Sequence, residues 1–346
     1  MAKILSIIIP SYNMEKLLGR CIESLLPDKL NNIEIIIVND GSKDNTLLVA
    51  NEYKGNYPDV IVVIDKPNGN YGSCINEGLK VAKGKYIKIL DADDWFDSKA
   101  FKEYILVLEK TDVDLILTDF NDVIADGPII KRHCENLDPY KVLSSTHVFE
   151  SSSFLKLGMH AVTYRTKILR DNNYKQTEGI SYTDQEWIFY PMEWVQKVFY
   201  CPLNVYQYNL GREGQTMDPK IIVRNISHFI QILERMLDTL SHKEFSNEQK
   251  KYLYNCMRGT LKTIYKNVLL NDNIGFDLKT LSNLDHRIKY MLPLYYKEMD
   301  DFVIHKYLPL KYIYYWRRKQ KRYPNIVLQL NKNLKLLQKK FEYYRS

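Results

Sequence analysis

Cysteine is scarce and scattered in this 346-residue chain: Cys21, Cys74, Cys134, Cys201 and Cys256, with no Cys-x-x-Cys pair. An odd number at wide spacing argues against a disulfide framework or a zinc site and makes a reducing compartment the expected setting. Long apolar runs are missing too. Nowhere do about 18 apolar residues follow one another without a charge, so no membrane-spanning helix is expected. The opening run, MAKILSIIIPSYN, is short, β-branched and without a cleavage site, which fits a first strand better than a secretion signal. Neither Gly-x-Gly-x-x-Gly nor a Walker A loop occurs, which argues against NAD-binding and P-loop chemistry.

What is present is globular: 45% of residues are hydrophobic and 26% charged, and the length suits one large domain with a smaller companion. The net charge of +7 is unevenly placed. Residues 306–346 hold 12 Lys and Arg against one acid, Glu342, whereas the first 305 hold 37 basic and 41 acidic residues. Any partner drawn by positive charge is therefore expected at the tail.

The first hundred residues alternate between β-branched runs and helical spacing. Strands are expected at 4–9, 33–38, 60–64 and 86–90, and helices at about 14–26, 43–53 and 71–82. This rhythm predicts an α/β fold with a mostly parallel sheet and helices on both faces. Such sheets bind ligands beyond the carboxyl ends of their strands, where this sequence places Ser11, Asn13, Asp40, Lys66, Asp91 and Asp93. A helix to about 109 and a strand at 114–119 follow, then a mixture of short strands and loops over 120–215. From about 219 the pattern is helical to the end, with a boundary expected near 216.

Four segments could carry chemistry, and each has an ordinary structural explanation beside it. Asp91-Ala92-Asp93-Asp94 can bind a divalent cation through one or two carboxylates and leave room for phosphate oxygens; it can equally be an Asp-rich turn. Asp40, ahead of Gly41-Ser42, can accept an imide N–H from a pyrimidine ring or cap the next helix. The stretch 68–73, containing Asn70, offers backbone N–H groups at a helix start to a phosphate or sugar. Tyr182-Thr183-Asp184-Gln185-Glu186-Trp187 opens an expected amphipathic helix carrying Trp187, Ile188 and Val195. Its acids could supply a general base or simply favour the helix dipole.

Taken together and in order, SIIIPSYN (6–13), EIIIVNDGSKDNT (34–46), NEGLKVA (76–82) and GKYIKILDADDW (84–95) resemble the N-terminal half of family 2 glycosyltransferases. The resemblance implies an inverting, metal-dependent hexosyltransferase of GT-A fold, with a catalytic domain at 1–215 and a helical region at 216–346. It implies that Pro10, Tyr12 and Asp40 contact the nucleoside, that Asp91 lies near the donor sugar, and that Asp93 ligates Mg²⁺ or Mn²⁺. Asn76 matches an Asn at the donor, although Ile75 stands where many members have Arg. Arg212 is a candidate for the missing diphosphate contact. The family's acidic pair aligns with Thr183-Asp184, making Asp184 the general base with Glu186 as rival. His160 either lines the acceptor pocket or is a structural histidine.

By the same resemblance the donor is a nucleotide sugar, UDP being the commoner carrier, and the acceptor a glycan or lipid-linked hydroxyl in bacterial cell-surface polysaccharide or glycolipid assembly. The segment 306–323, KYLPLKYIYYWRRKQKRY, mixes aromatics with basic residues. It suits peripheral attachment to an anionic membrane, on the inner face of the cell membrane for an otherwise cytoplasmic protein, or a solvated basic helix surface. A non-catalytic nucleotide-sugar binder keeps Asp40 and Asp93 without a base, and a nucleotidyltransferase would need a basic triphosphate loop that is absent. No base-reading or stacking module for nucleic acid is recognisable.

Overall fold

The computed structural model describes residues 2–26, 32–125, 127–151, 158–211, 219–271 and 276–343, with side chains as far as 334. The chain starts with β1 (Leu5–Ser11), α1 (Leu18–Glu23), β2 (Ile33–Asp40), α2 (Thr46–Asn56), β3 (Ile61–Lys66), α3 (Asn70–Val81) and β4 (Tyr86–Ile89). These strands lie in the order β3-β2-β1-β4, all parallel, with Ile7 opposite both Ile35 and Lys88. Residues 5–9 of β1 and all of β2 are buried, as expected of strands covered on both faces. Ile7 and Ile9 join the core formed with Leu18, Ile22, Phe101 and Leu108. Ile8 points the other way, under Gly78 of α3.

Next come β5 (Trp95–Phe96), α4 (Ser98–Lys110), β6 (Leu115–Ile124), β7 (Ile129–Arg132), β8 (Val142–Ser144), α5 (Ser145–Glu150), β9 (Val162–Arg165), α6 (Thr166–Asp171), α7 (Asp184–Trp187) and β10 (Lys197–Leu210). The sheet continues β4-β9-β6-β10-β5, with β9 antiparallel to both neighbours and β10 parallel to β6. It is thus mostly parallel in its first half and mixed beyond β4.

Two details differ from the sequence expectation. The expected run of short strands over 120–215 contains a 14-residue strand, β10. Its hydrophobic alternation is masked by Pro202 and by register shifts between Cys201 and Asn204 and again before Tyr206. The expected amphipathic helix after Tyr182 is a single turn, α7, followed by a 3-10 turn at Tyr190–Glu193. Pro191, which lacks an N–H and disfavours helix in the residue before it, ends that run.

The chain divides into two compact units, Met1–Glu213 with Asn247–Tyr252, and Gly214–Ser246 with Leu253–Ser346. The second contains α8 (Pro219–Arg224), α9 (Ile226–His242), most of α10 (Asn247–Leu269), α11 (Leu278–Met291), α12 (Pro293–Glu298), β11 (Val303–His305), β12 (Leu308–Lys311), α13 (Tyr312–Lys319) and α14 (Asn325–Tyr343). The antiparallel pair β11–β12 interrupts the helical run expected there, with Pro309 in its second strand. Met257, Leu261, Tyr265, Leu284 and Trp316 are among its buried residues.

A buried ion cluster crosses this unit. Arg317 meets Asp285 at 2.7 Å and Asp300 at 2.8 Å, and Asp285 also accepts the hydroxyls of Tyr265 and Tyr296. Arg322 donates to the carbonyls of Val268 and Phe276. Part of the tail's positive charge therefore serves internal packing. Among the described residues no helix is long and apolar enough to cross a membrane.

Candidate active site

Each parallel strand delivers its last residues to one edge. At β1, Pro10 is half-buried and Tyr12 is 42% exposed. At β2, Asp40 is almost wholly buried and ties three segments together. Its Oδ1 receives the Lys66 ammonium and the Gly69 N–H at 2.9 Å, while its carbonyl accepts Asn68 Nδ2. Burial and the charge of Asp40 raise the neighbouring Cys74 thiol, which is also hydrogen-bonded to the Asp40 carboxylate. Asn70 opens α3 in a left-handed conformation (φ 63°).

Beyond β4 the chain turns through Asp91-Ala92-Asp93-Asp94, where the Asp94 N–H bonds to the Asp91 carbonyl at 3.0 Å. The three carboxylates can place one oxygen each within 4.8 Å of one another. Burial, with the neighbouring charge of Asp93, drives Asp91 well above the usual carboxylate range. Burial and the same two neighbours raise Asp94 also. Such crowding of like charge in a desolvated crevice is what a bound cation relieves. A hard divalent ion with oxygen ligands fits this donor set.

The turn is braced from both sides. Tyr71 on α3 donates to Asp91 Oδ1 at 2.8 Å. Tyr206 on β10 donates to Asp94 Oδ2 at 2.6 Å and accepts the Asp91 N–H at 3.1 Å. The Asn209 N–H takes Asp94 Oδ1 at 2.8 Å. Both Asp94 oxygens are thus engaged within the protein. Arg20, stacked 3.9 Å over the Trp95 ring, donates to the Asp93 carbonyl.

Asp184 sits at the first position of α7. Burial pushes it up to about 6, against the opposing pull of the backbone N–H groups of Asp184 and Gln185. Its charge raises Asp91, Tyr71 and Tyr208, so it lies near the acidic turn. Glu186 is fully buried, and its two oxygens accept the Thr177 N–H and hydroxyl, each at 2.7 Å. It faces Thr177 rather than the turn.

Asn76 is placed differently from the donor contact its motif implies. Its Oδ1 accepts the Gln176 N–H, and its Nδ2 donates to the Gln176 carbonyl and to Glu178. It clamps the segment leading to Asp184. His160 is stacked on Tyr208 with ring centroids 4.2 Å apart and edge-on to Tyr206 at 4.7 Å. Burial and the nearby Lys88 lower it to about 3, so it is neutral. This is the environment of a packed structural histidine. Arg212 lies outside the described residues.

Sequence reasoning missed Tyr71, Tyr206, Asn209 and Arg20. Tyr71 stood inside a stretch already singled out for backbone N–H groups. Tyr206 and Asn209 reach the site only because β10 returns beside β6, a long-range pairing that no local pattern announces.

A wound sheet, parallel over its first four strands and mixed beyond them, with helices packed against it, is the GT-A fold. The chain superposes on Staphylococcus aureus TarS 1–349 in complex with UDP-GlcNAc with a TM-score of 0.61, covering 83% of this chain and 81% of that one at 19% identity. Residues 6–170 match the family described as Glycosyl transferase family 2, so this segment is a family 2 glycosyltransferase domain. Among curated relatives it is 28% identical over 249 residues to the uncharacterized glycosyltransferase YibD of Escherichia coli K12, covering 68% of this chain and 71% of that protein. It is 28% identical over 298 residues to the hyaluronan synthase of Pasteurella multocida, covering 82% of this chain but 28% of that protein. The chain spans a third or less of the length of several further curated relatives.

Proposed function

We propose that this glycosyltransferase moves a hexose from a nucleoside diphosphate sugar, UDP-linked by preference, to a hydroxyl of a glycan or lipid-linked acceptor with inversion at the anomeric carbon. The observation that carries this reading is that Asp184 lies near enough to the acidic turn for its charge to raise Asp91. The likeness to TarS, solved with UDP-GlcNAc, supports a UDP-sugar donor. The likeness to a hyaluronan synthase supports an acceptor in polysaccharide assembly.

In this reading Pro10 and Tyr12 border the nucleoside, and Asp40, its Oδ1 fixed by Lys66 and the Gly69 N–H, turns its carboxylate to a ring N–H. Asp91 and Asp93 would hold Mg²⁺ or Mn²⁺. That ion, when bound, supplies Lewis-acid stabilisation of the leaving diphosphate. Tyr71, Tyr206 and Asn209 keep the acidic turn in one geometry. Asp184 takes the proton from the acceptor hydroxyl, and its raised proton affinity places it near the range useful to a general base at neutral pH. Attack from the Asp184 side, opposite the departing diphosphate, inverts the sugar.

A peripheral membrane contact through 306–346 belongs to the same proposal. It is supported by Tyr307, 68% exposed beside the Lys306 ammonium, and by the exposed Ile326 and Leu330 of α14. The test of the transferase reading is nucleoside diphosphate release from a panel of UDP- and GDP-sugars with Mn²⁺ and glycan acceptors. Release with at least one donor is expected; no release from any donor contradicts the reading.

A further inference from the structure

We propose that Gly72, Asn76 and Glu186 form a strap that positions Asp184, binding the segment 176–186 to the face of α3 whose first turn borders the acidic cluster. The inference rests on the transferase reading above and adds positioning residues to it.

The strap is built from three contacts along one helix face and a fourth within the segment itself. At the start of α3, the Gly69 carbonyl accepts the Gly179 N–H at 2.8 Å. Gly179 has φ 79°, a left-handed turn that an L side chain would strain. One turn on, the Thr177 carbonyl rests on Gly72 so closely that a Cβ there would lie 2.1 Å from it. A further turn along, buried Asn76 uses its carbonyl and both amide hydrogens on Gln176 and Glu178. The fourth contact closes the segment on itself: Glu186 accepts both the N–H and the hydroxyl of Thr177. Thr183 adds a bond from its hydroxyl to Gln176 Oε1 at 3.2 Å.

Asp184 lies between these ties, two residues from Glu186 and one from Thr183. Its place relative to Asp91 is therefore set by α3, and α3 also carries Tyr71, which bonds to Asp91. One helix holds both the acidic turn and the base. A fully buried carboxylate with both oxygens satisfied is poorly suited to collect a proton from an acceptor hydroxyl, because it would have to abandon Thr177 first. The same geometry makes it a good anchor. The sequence alone left Glu186 as a rival base; its contacts assign it to positioning.

The variants Gly72→Ala, Glu186→Gln and Asp184→Asn separate the roles. Alanine is the better helix former, so Gly72→Ala keeps α3 while pushing Thr177 away. A displacement of about 1 Å near a reacting group costs on the order of 10²-fold in rate. Gly72→Ala is therefore expected to lower kcat for diphosphate release by that order while Mn²⁺-supported binding of the nucleoside diphosphate changes less than about twofold. Glu186→Gln can still accept the Thr177 N–H and donate to its hydroxyl. It should keep most of kcat and keep the rise of rate with pH, shifted slightly downward because a neighbouring negative charge has gone. Asp184→Asn should lose both.

Wild-type kcat in Gly72→Ala, or loss of turnover in Glu186→Gln with retention in Asp184→Asn, overturns the assignment. Hydrogen–deuterium exchange reads the strap without any donor. The amides of Gln176, Thr177 and Gly179 should exchange faster in Asn76→Ala and Glu186→Ala than in wild type. Unchanged exchange overturns the strap. Absence of release by wild-type protein from every donor would instead sink the transferase reading, leaving the exchange result to decide the strap.

Discussion

The hydroxyl of Tyr206 donates to Asp94 at 2.6 Å while accepting the backbone N–H of Asp91 at 3.1 Å, so one phenol on β10 fixes both ends of the acidic turn that follows β4. The two residues are 112 positions apart and meet because β10 pairs in parallel with β6 and carries β5 on its other edge. Removing the hydroxyl in Tyr206→Phe leaves a buried carboxyl oxygen unmatched, which typically costs about 1–3 kcal/mol. The variant is expected to melt at lower temperature. Calorimetry should show weaker Mn²⁺-supported binding of nucleoside diphosphate, with binding in chelator little changed. Equal Mn²⁺ dependence in the two proteins would contradict the bracing role.

Protonation gives a second handle. In the folded chain Asp184 is held up to about 6 by burial, and Asp91 is raised by burial and by Asp93, whereas an unburied aspartate titrates near about 3.9. The folded state thus binds these protons more tightly than the unfolded state. Their contribution to stability is present below the unfolded value and is lost as pH rises through 6 and above. A cation that replaces the protons restores it. The rise in melting temperature on adding Mn²⁺ should therefore be larger at pH 8 than at pH 5; a rise independent of pH would argue against ion binding at the turn. In turnover the sign is opposite, since a general base works only when deprotonated, and the rate should increase as pH passes through about 6.

In the helical unit the prediction concerns stability alone. Arg317 is enclosed by Asp285, Asp300, Tyr265 and Tyr296. Breaking such a buried pair by removing one partner costs about 3–5 kcal/mol. Arg317→Ala should lower the denaturant midpoint markedly, whereas Lys319→Ala, on an exposed face, should not. Similar midpoints for the two would mean that the cluster is solvated.

Membrane contact can be tested at the β11–β12 turn. Lys306 and Tyr307 are exposed there, with the ammonium 4.7 Å from the ring. Each cation near an anionic bilayer contributes about 1 kcal/mol, so Lys306→Glu combined with Tyr307→Ser should weaken co-sedimentation with phosphatidylglycerol vesicles by more than about tenfold. Binding that is unchanged, or equal on neutral vesicles, rejects the surface.

Much of the first unit was legible in the sequence because its signals are local. The β-branched runs of β1 and β2, the helical spacing around Leu18 and Ile22, and the polar strand ends all follow from neighbours in the chain. Asp40, Asp91 and Asp93 are legible as acids of the sheet edge because Asp40 ends β2 and the other two closely follow β4. What stayed hidden depends on distant pairing: β10, whose bulges and Pro202 disguise it, and through it Tyr206 and Asn209. The motif at Asn76 implies a donor contact, yet its amide is engaged with Gln176 and Glu178, 100 and 102 residues away. In the tail, charge counting treated every cation as available. Arg317 and Arg322 turn inward because acids and carbonyls from other helices await them.

If the acidic turn binds the activated sugar while Asp184 serves the acceptor, the two functions separate in one paired measurement. Nucleoside diphosphate binding and acceptor-dependent release should be measured side by side in wild type, Asp93→Ala and Asp184→Asn with Mn²⁺ present. Asp93→Ala should lose binding and release together; Asp184→Asn should bind like wild type and release about 10²–10⁴-fold more slowly. Release at the wild-type rate by Asp184→Asn, or undiminished Mn²⁺-dependent binding by Asp93→Ala, would contradict the account.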